Sequence, residues 1–322
     1  MWLETFVNCL ETSTRRHSRI DEALALKQQH LPKRIYKYRR DSTNSRDNLK
    51  TDTVWLASPE SYNDPYDCAF SLSDDRVVAA IMRRFVDTFV TGYKLQDVVS
   101  SEQIESARNS PEPLESLVSH IPPELSAARG SNPKLMAEVC AKTTPRLVTD
   151  MVSVLRMWRK VTKLCSFSQI NDSVLMWSHY AHNHQGFCIE YDLEQLEAIH
   201  PLRKFLYPVI YSHQLYDMTP WAEKLADPDL QKFNSECPLL GVLHKFDGWE
   251  YEKEWRLVSV TNTVIEDHTF AVPTPTRVYL GSKARVDEHK ELLAICEDKT
   301  IEVHQMRLAD DKFEMLSDPL EQ

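Results

Sequence analysis

CSFSQINDSVLMWSHYAHNHQGFCIEYD, residues 165–192, brings together serine, histidine, tryptophan, tyrosine and acidic side chains within one short stretch. CSFS has the pattern of a strand, residues 174–182 have helical spacing, and GFCIEYD at 186–192 returns to a strand. Almost no spacer separates these elements. Because a structural scaffold seldom concentrates such residues, the stretch predicts part of a functional site built on a sheet.

Strand patterns recur on both sides of this stretch, whereas a long helical block interrupts them. The block, residues 73–163, carries charged and aliphatic residues at helical spacing, broken by segments rich in proline and glycine. The further predicted strands are IYKYR (35–39), TVWLAS (53–58), VIYS (209–212), WRLVSV (255–260), RVYL (277–280) and IEVHQM (301–306).

The order of these patterns predicts an α+β fold, with a mixed, split β-sheet core and a large all-helical insertion. The predicted parts are an N-terminal helical segment at 1–34, the core at 35–72 and 164–310, and the insertion at 73–163.

Composition excludes several classes of protein. The net charge of −10 disfavours non-specific binding to phosphate backbones. The six glycines form neither a Walker loop nor Gly-x-Gly-x-x-Gly, so we expect no P-loop. The seven cysteines include no Cys-x-x-Cys pair, so we expect no disulfide framework and no metal site. No apolar run reaches the roughly 18 residues of a membrane span. A soluble, cytoplasmic protein without membrane partners is expected.

The run WEYEKEWR, residues 249–256, places two acids between tryptophans. In a strand, Glu252, Glu254 and Arg256 would share one face, with the carboxylates about 7 Å apart. The alternative without a functional role is a solvated edge strand, in which these charges form cross-strand ion pairs. The flanking tryptophans favour a semi-dry site, in which a carboxylate is chemically useful.

Two other motifs suit ligand binding, and each has a structural alternative. Arg39 ends the IYKYR strand. It is either a surface charge or a residue whose guanidinium binds phosphate through two parallel hydrogen bonds. Ser166 and Ser168 share a face and can orient an acid or a ribose. Trp177 and Tyr180 lie on one side of the predicted helix, as core residues or as a stacking platform for a planar ring.

These motifs together resemble a bacterial family catalogued as domain of unknown function 2971. The resemblance rests on IYKYR, VWLASPESYNDPYDC, CSFS, LMWSHYAHNHQGFCIEYD and WEYEKEWR, and it covers about residues 35–70 and 164–260. It implies membership of a family without implying an activity.

The order of arginine, Ser-x-Ser and Glu-x-Glu, each on a strand, is also similar to the layout of ADP-ribosyltransferases, and this resemblance implies NAD as co-substrate. Carried over, Arg39 matches the arginine, 166–168 the serine motif and 252–254 the glutamate pair. The implied catalytic residues are Glu254, Glu252 and Ser166. The implied cofactor-binding residues are Arg39, Tyr38, Ser168, Trp177 and Tyr180.

In the implied chemistry, Glu254 accepts from the ribose 2′-hydroxyl and stabilises the oxocarbenium-like centre, and Glu252 activates the acceptor. Ser166 orients Glu254 or the ribose, Arg39 holds the pyrophosphate, and Trp177 or Tyr180 stacks on nicotinamide. A turn with Asn63, Asp64 and Asp67 lines the rim.

We therefore expect an NAD-dependent ADP-ribosyltransferase or NAD-consuming effector that acts on an unknown macromolecular acceptor, protein or nucleic acid. Two alternatives remain. One is a non-catalytic nucleotide-sensing or partner-binding module. The other is a metal-dependent nuclease that uses Asp64, Asp67, Glu190 and Asp192.

Overall fold

The computed structural model describes residues 2–122, 133–225, 234, 236–260 and 268–320. Its helices are α1 (Trp2–Thr12), α2 (Ile20–Gln29), α3 (Thr43–Lys50), α4 (Asp74–Gly92), α5 (Ser101–Arg108), α6 (Pro113–Ser119), α7 (Pro133–Val161), α8 (Val174–Tyr180), α9 (Pro201–Phe205), α10 (Thr219–Leu225), α11 (Cys237–Leu243) and α12 (Lys290–Asp298). Its strands are β1 (Arg34–Arg39), β2 (Thr53–Trp55), β3 (Phe70–Ser71), β4 (Thr162–Ser168), β5 (Phe187–Asp192), β6 (Leu206–Pro208), β7 (Ile210–Ser212), β8 (Tyr216–Asp217), β9 (His244–Phe246), β10 (Glu254–Val260), β11 (Thr269–Ala271), β12 (Arg277–Leu280), β13 (Glu302–Leu308) and β14 (Met315–Pro319).

Eight strands form one mixed sheet in the order β14-β13-β12-β5-β1-β4-β10-β6. The β12–β13 pair is parallel, and the other neighbours are antiparallel. The predicted α+β class and mixed sheet are confirmed. The sheet continues through β14, past the predicted end of the core at residue 310.

The junction between β1 and β4 is the weakest in the sheet. These strands pair only at Tyr36 and Ser168, whereas β1 pairs with β5 from Arg34 to Arg39 and β10 pairs with β4 from Glu254 to Val260. The predicted split therefore takes the form of a seam within one continuous sheet, because this single pair still joins the two halves.

The two faces of the sheet are covered differently, as the alternation of side chains along each strand requires. Ile35, Phe167 and Trp255 belong to the largest apolar cluster, which also contains residues of α3, α9 and α12. On the other face, α8 contributes Trp177 to a cluster with Tyr38. The polar positions of β4 and β10 also lie on this second face, and α8 is the helix beside them.

The described residues between 74 and 161 form helices and the turns that connect them, contribute no strand, and contain a separate apolar cluster from α4 to α7. Val77 and Val148 of this block pack with Met218 and Trp221, at α10. Residues 123–132 of the predicted insertion lie outside the described residues, as do 226–233, 235 and 261–267 of the predicted core. No helix in the described part of the chain combines the length and apolarity needed to cross a membrane.

Candidate functional site

A cleft of about 380 Å³ opens at the seam between β1 and β4. Its volume falls within the range of about 300–1,000 Å³ that is typical of small-molecule sites. It is lined by Tyr36, Lys37, Tyr38, Arg39, Trp55, Ala57, Ser61, Tyr62, Asn63, Cys165, Ser166, Phe167, Ser168, Met176, His179, Tyr180, Lys245, Glu252 and Glu254. All four motifs singled out in the sequence therefore contribute to one cavity.

Where pairing with β1 stops, the backbone of β4 is met by a side chain of β1 and by the segment that follows β2. The Lys37 ammonium donates to the Ser166 carbonyl at 2.6 Å, and the Tyr62 hydroxyl donates to the Leu164 carbonyl at 3.1 Å. Ala57 forms an isolated antiparallel bridge with Leu164. These contacts give the backbone polar groups of Leu164 and Ser166 hydrogen-bond partners while the cleft stays open.

A buried network of five charged side chains forms one end of the cleft. Lys245 Nζ contacts the Glu252 carboxylate and lies 2.7 Å from Glu254 Oε2. Arg256 Nε donates to Glu254 Oε1 at 2.8 Å, and Arg256 Nη2 lies 2.6 Å from Asp67 Oδ1. All five are buried. Three carboxylates against two cations leave one negative charge in excess.

The two glutamates of this network have opposite pKa shifts. Burial favours the neutral form of Glu254, but the adjacent Arg256 and Lys245 outweigh it and hold the pKa of Glu254 well below its usual range. Burial raises the pKa of Glu252, although Lys245 opposes the shift. Glu254 is therefore held as an anion, while Glu252 takes up a proton more readily than an ordinary glutamate does.

Glu252 is not part of a strand, which corrects the predicted alternation. It ends a 3₁₀ turn, Asp247–Glu252, Lys253 has a left-handed backbone with φ of 45°, and β10 begins at Glu254. The Ser168 hydroxyl donates to the Glu252 carbonyl at 2.7 Å, and the Tyr180 hydroxyl donates to Glu252 Oε1 at 2.6 Å. The turn still brings both carboxylates to Lys245.

The serine motif takes part differently from the prediction. Ser168 is in register with Glu254, whereas Ser166 is in register with Arg256. The Ser166 hydroxyl donates to the Tyr62 hydroxyl at 3.5 Å. Ser168 therefore fixes the glutamate segment, a role that the sequence assigned to Ser166.

Trp177 belongs to the core rather than to the cleft wall, so it does not provide the predicted stacking platform. It is fully buried, and its indole donates to the Asn171 carbonyl at 2.7 Å. Its ring meets that of Tyr38 edge to face at 5.2 Å. Tyr38 and Tyr180 both line the cleft, as predicted, and Trp55 presents a half-exposed indole there.

Arg39 lies at the cleft with a half-buried side chain, and the described residues give it no ion-pair partner. Of the predicted rim residues, Asn63 lines the cleft. Asp64 accepts from the Tyr66 amide at 2.8 Å, and Asp67 joins the charged network instead.

The acids of the nuclease hypothesis are dispersed. Glu190 on β5 accepts from the Tyr279 hydroxyl at 2.7 Å, and Asp192 accepts from the Glu194 amide at 2.9 Å. Among the described residues, no three His, Cys, Asp or Glu side chains are arranged to hold a metal ion. The geometry gives this hypothesis no support.

Sequence reasoning missed Lys245 and His179. Lys245 is a single lysine in the unremarkable run HKF, and only the fold reveals that it lies between two acids. His179 belongs to the stretch 165–192 but to none of the predicted binding motifs, yet it lines the cleft with Nδ1 3.0 Å from the Tyr251 hydroxyl.

One family model matches a segment that includes the charged residues of this site. The model of the family described as Protein of unknown function (DUF2971) matches residues 176–257, which confirms the resemblance to that family. The matched segment includes Tyr180, Lys245, Glu252, Glu254 and Arg256. No curated protein and no solved structure matches the chain.

Proposed function

We propose that this protein is an NAD-consuming ADP-ribosyltransferase, which cleaves the nicotinamide–ribose bond of NAD in the cleft at the seam. The observation that carries the proposal is that an arginine without an ion-pair partner among the described residues, Arg39, and a carboxylate with a raised pKa, Glu252, line the same cavity of ligand size.

The cleft offers suitable contacts for each part of NAD. The Arg39 guanidinium suits bidentate binding of the pyrophosphate. Trp55, 49% exposed, and the half-buried Tyr36 give the planar rings of NAD aromatic surfaces on which to stack. Trp55 thus takes the place of Trp177 in the sequence hypothesis.

The glutamates divide the chemical roles according to their environments. Glu254 has both oxygens engaged by cations, so its charge is compensated and its main effect is to hold Lys245 in place. Glu252 has one oxygen facing only an uncharged hydroxyl, that of Tyr180. A ribose 2′-hydroxyl can take the place of the Tyr180 hydroxyl as the donor to this oxygen.

Glu252 is therefore the carboxylate that we assign to the reacting ribose. As the C1′–N bond breaks, positive charge develops on the ribose ring, and a carboxylate at the 2′-hydroxyl stabilises it. The same group then accepts the proton of the incoming acceptor, for which a raised pKa is an advantage. This assignment moves the central role from Glu254 to Glu252.

The test measures nicotinamide release from NAD by the purified protein, with and without EDTA. We expect release in both conditions. Glu252→Gln should lower the rate roughly 10²–10³-fold, the usual effect of losing one electrostatic contact in a site. Glu250→Gln, an exposed acid on the same turn, is the matched control and should leave the rate unchanged. Circular dichroism confirms that each variant is folded.

Three outcomes contradict the proposal. If the wild type neither binds nor cleaves NAD, the binding-module alternative replaces it. If Glu252→Gln cleaves NAD at the wild-type rate, Glu252 has no part in the reaction. If the protein instead cuts nucleic acid and EDTA abolishes the cutting, the nuclease alternative holds.

A further inference from the structure

A second pocket of about 180 Å³ shares one side chain with the cleft. Lys245 lines both cavities and thus forms part of the wall between them. The pocket is lined by Tyr66, Ala69, Ser212, His213, Gln214, Leu215, His244, Lys245 and Phe246.

The pocket presents unusually exposed aromatic surface. Tyr66 is 62% exposed and Phe246 is 46% exposed. A Cβ at position 248 would lie 2.5 Å from the Phe246 ring, so Gly248 makes room for this ring. The wall is supported from behind by Tyr216, which stacks on His244 at 4.7 Å.

The lining also fits the edge of a heteroaromatic ring. Gln214 and Ser212 supply amide and hydroxyl groups that donate and accept hydrogen bonds, next to the aromatic surfaces. Bases taken out of a stack are bound in this way, by stacking on aromatic side chains and hydrogen bonding along their edges.

The charges in the pocket disfavour a phosphate backbone. Lys245 is the one lysine or arginine among the described lining residues, and its ammonium is engaged by Glu252 and Glu254. The net charge of the chain is −10. A neutral nucleoside therefore suits the pocket better than a nucleic acid strand bound through its phosphates.

We infer that this second pocket binds the planar base of a nucleoside and, resting on the proposed function, that this base is the acceptor of ADP-ribose. Lys245 lines both cavities and contacts Glu252, so the base pocket borders the cleft where NAD is proposed to bind.

The transfer balances without any further reagent. A nitrogen of the base that bears a hydrogen attacks C1′ while the C1′–N bond to nicotinamide breaks. The electron pair of that bond leaves with nicotinamide, which becomes neutral, and the hydrogen of the base passes as a proton to the Glu252 carboxylate.

The binding test omits NAD. Adenosine, guanosine, cytidine and thymidine are each titrated into the protein by calorimetry, and we expect at least one to bind. Phe246→Ala should weaken that binding roughly 5- to 100-fold, the effect of losing one base–aromatic stack. Phe313→Ala, which removes a fully exposed ring between β13 and β14, is the matched control and should bind normally.

The inference is overturned if none of the four nucleosides binds, or if Phe246→Ala binds as the wild type does. It is also overturned if indole or phenol binds more tightly than every nucleoside, since the pocket would then accept a protein side chain.

Nicotinamide release, measured separately, distinguishes this failure from failure of the proposed function. If NAD is not cleaved but a nucleoside binds in a Phe246-dependent manner, the base pocket stands and the transferase proposal falls. If NAD is cleaved and mass spectrometry finds no ADP-ribosyl adduct of the bound nucleoside, the acceptor assignment is wrong.

Discussion

Glu254→Gln should destabilise the fold strongly, although the substitution preserves the shape of the side chain. Glutamine offers one carbonyl oxygen where the carboxylate met both Arg256 Nε at 2.8 Å and Lys245 Nζ at 2.7 Å, so its amide group must face a buried cation. Removing one member of a buried ion pair costs about 3–5 kcal/mol. Because Lys245 retains Glu252 and Arg256 retains Asp67, we expect a loss within this range rather than the sum of two pairs.

The assay is urea denaturation at pH 7, followed by tryptophan fluorescence. Glu252→Gln should cost less, about 1.5–3 kcal/mol, because it removes hydrogen bonds to one charged group. Glu250→Gln is the control, since Glu250 pairs at 3.1 Å with Lys253 on the surface and such pairs contribute about 0–1 kcal/mol.

The pH dependence of this effect has a definite sign. The pKa of Glu254 is lowered on folding, so its contribution to stability is present above about pH 4.5, its ordinary pKa, and is lost as the pH falls further. The difference between wild type and Glu254→Gln should therefore shrink below that pH. Equal unfolding midpoints for Glu254→Gln and Glu250→Gln at pH 7 would refute the reasoning.

Three further substitutions test the cleft and its supports. Arg39→Lys should weaken NAD binding about tenfold in calorimetry, because lysine cannot make the bidentate contact. The control Arg40→Lys, at an exposed position, should have no effect, and equal losses of affinity in the two variants would contradict the role of Arg39 in binding the pyrophosphate. Tyr180→Phe removes a hydrogen bond to the charged form of Glu252 in the free enzyme, so the acid limb of the pH profile of kcat/KM for nicotinamide release should move to higher pH. An unmoved limb would exclude Glu252 as the titrating group. Gly281→Ala places a Cβ 2.2 Å from a backbone carbonyl oxygen and should cost about 1–3 kcal/mol in thermal unfolding; an unchanged melting temperature would contradict this close packing.

Periodicity was sufficient to predict most of the large elements. The IYKYR strand, the helical block and the strand–helix–strand order of 165–192 follow from local patterns, because the alternation and the spacing of apolar residues reflect which faces are buried. The strand β14 was missed, since MLSDP has only one buried position and little alternation to recognise.

The site was predicted in its motifs and missed in its geometry. A left-handed backbone conformation at a residue other than glycine has no clear sequence signal. The left-handed conformations of Lys253 and of the three consecutive residues His182–His184 were therefore not predicted. The position of Lys245 depends on the long-range pairing of β9 with β7 and on its contacts with Glu252 and Glu254, which no local pattern encodes. Trp177 was ambiguous for a related reason, because the same aromatic residue serves a core and a ligand site equally well.

The seam at Tyr36 and Ser168 also bears on how the binding site can change in evolution. Since a single residue pair joins the two halves of the sheet, the width of the cleft depends on the side chains that contact the β4 backbone there, Lys37 from β1 and Tyr62 from the segment after β2, more than on the strand ladder. A substitution at either position can widen or narrow the cavity while the ladders of both halves stay intact. Ligand size in related chains can therefore diverge through point mutations, without insertions and without a change of strand register.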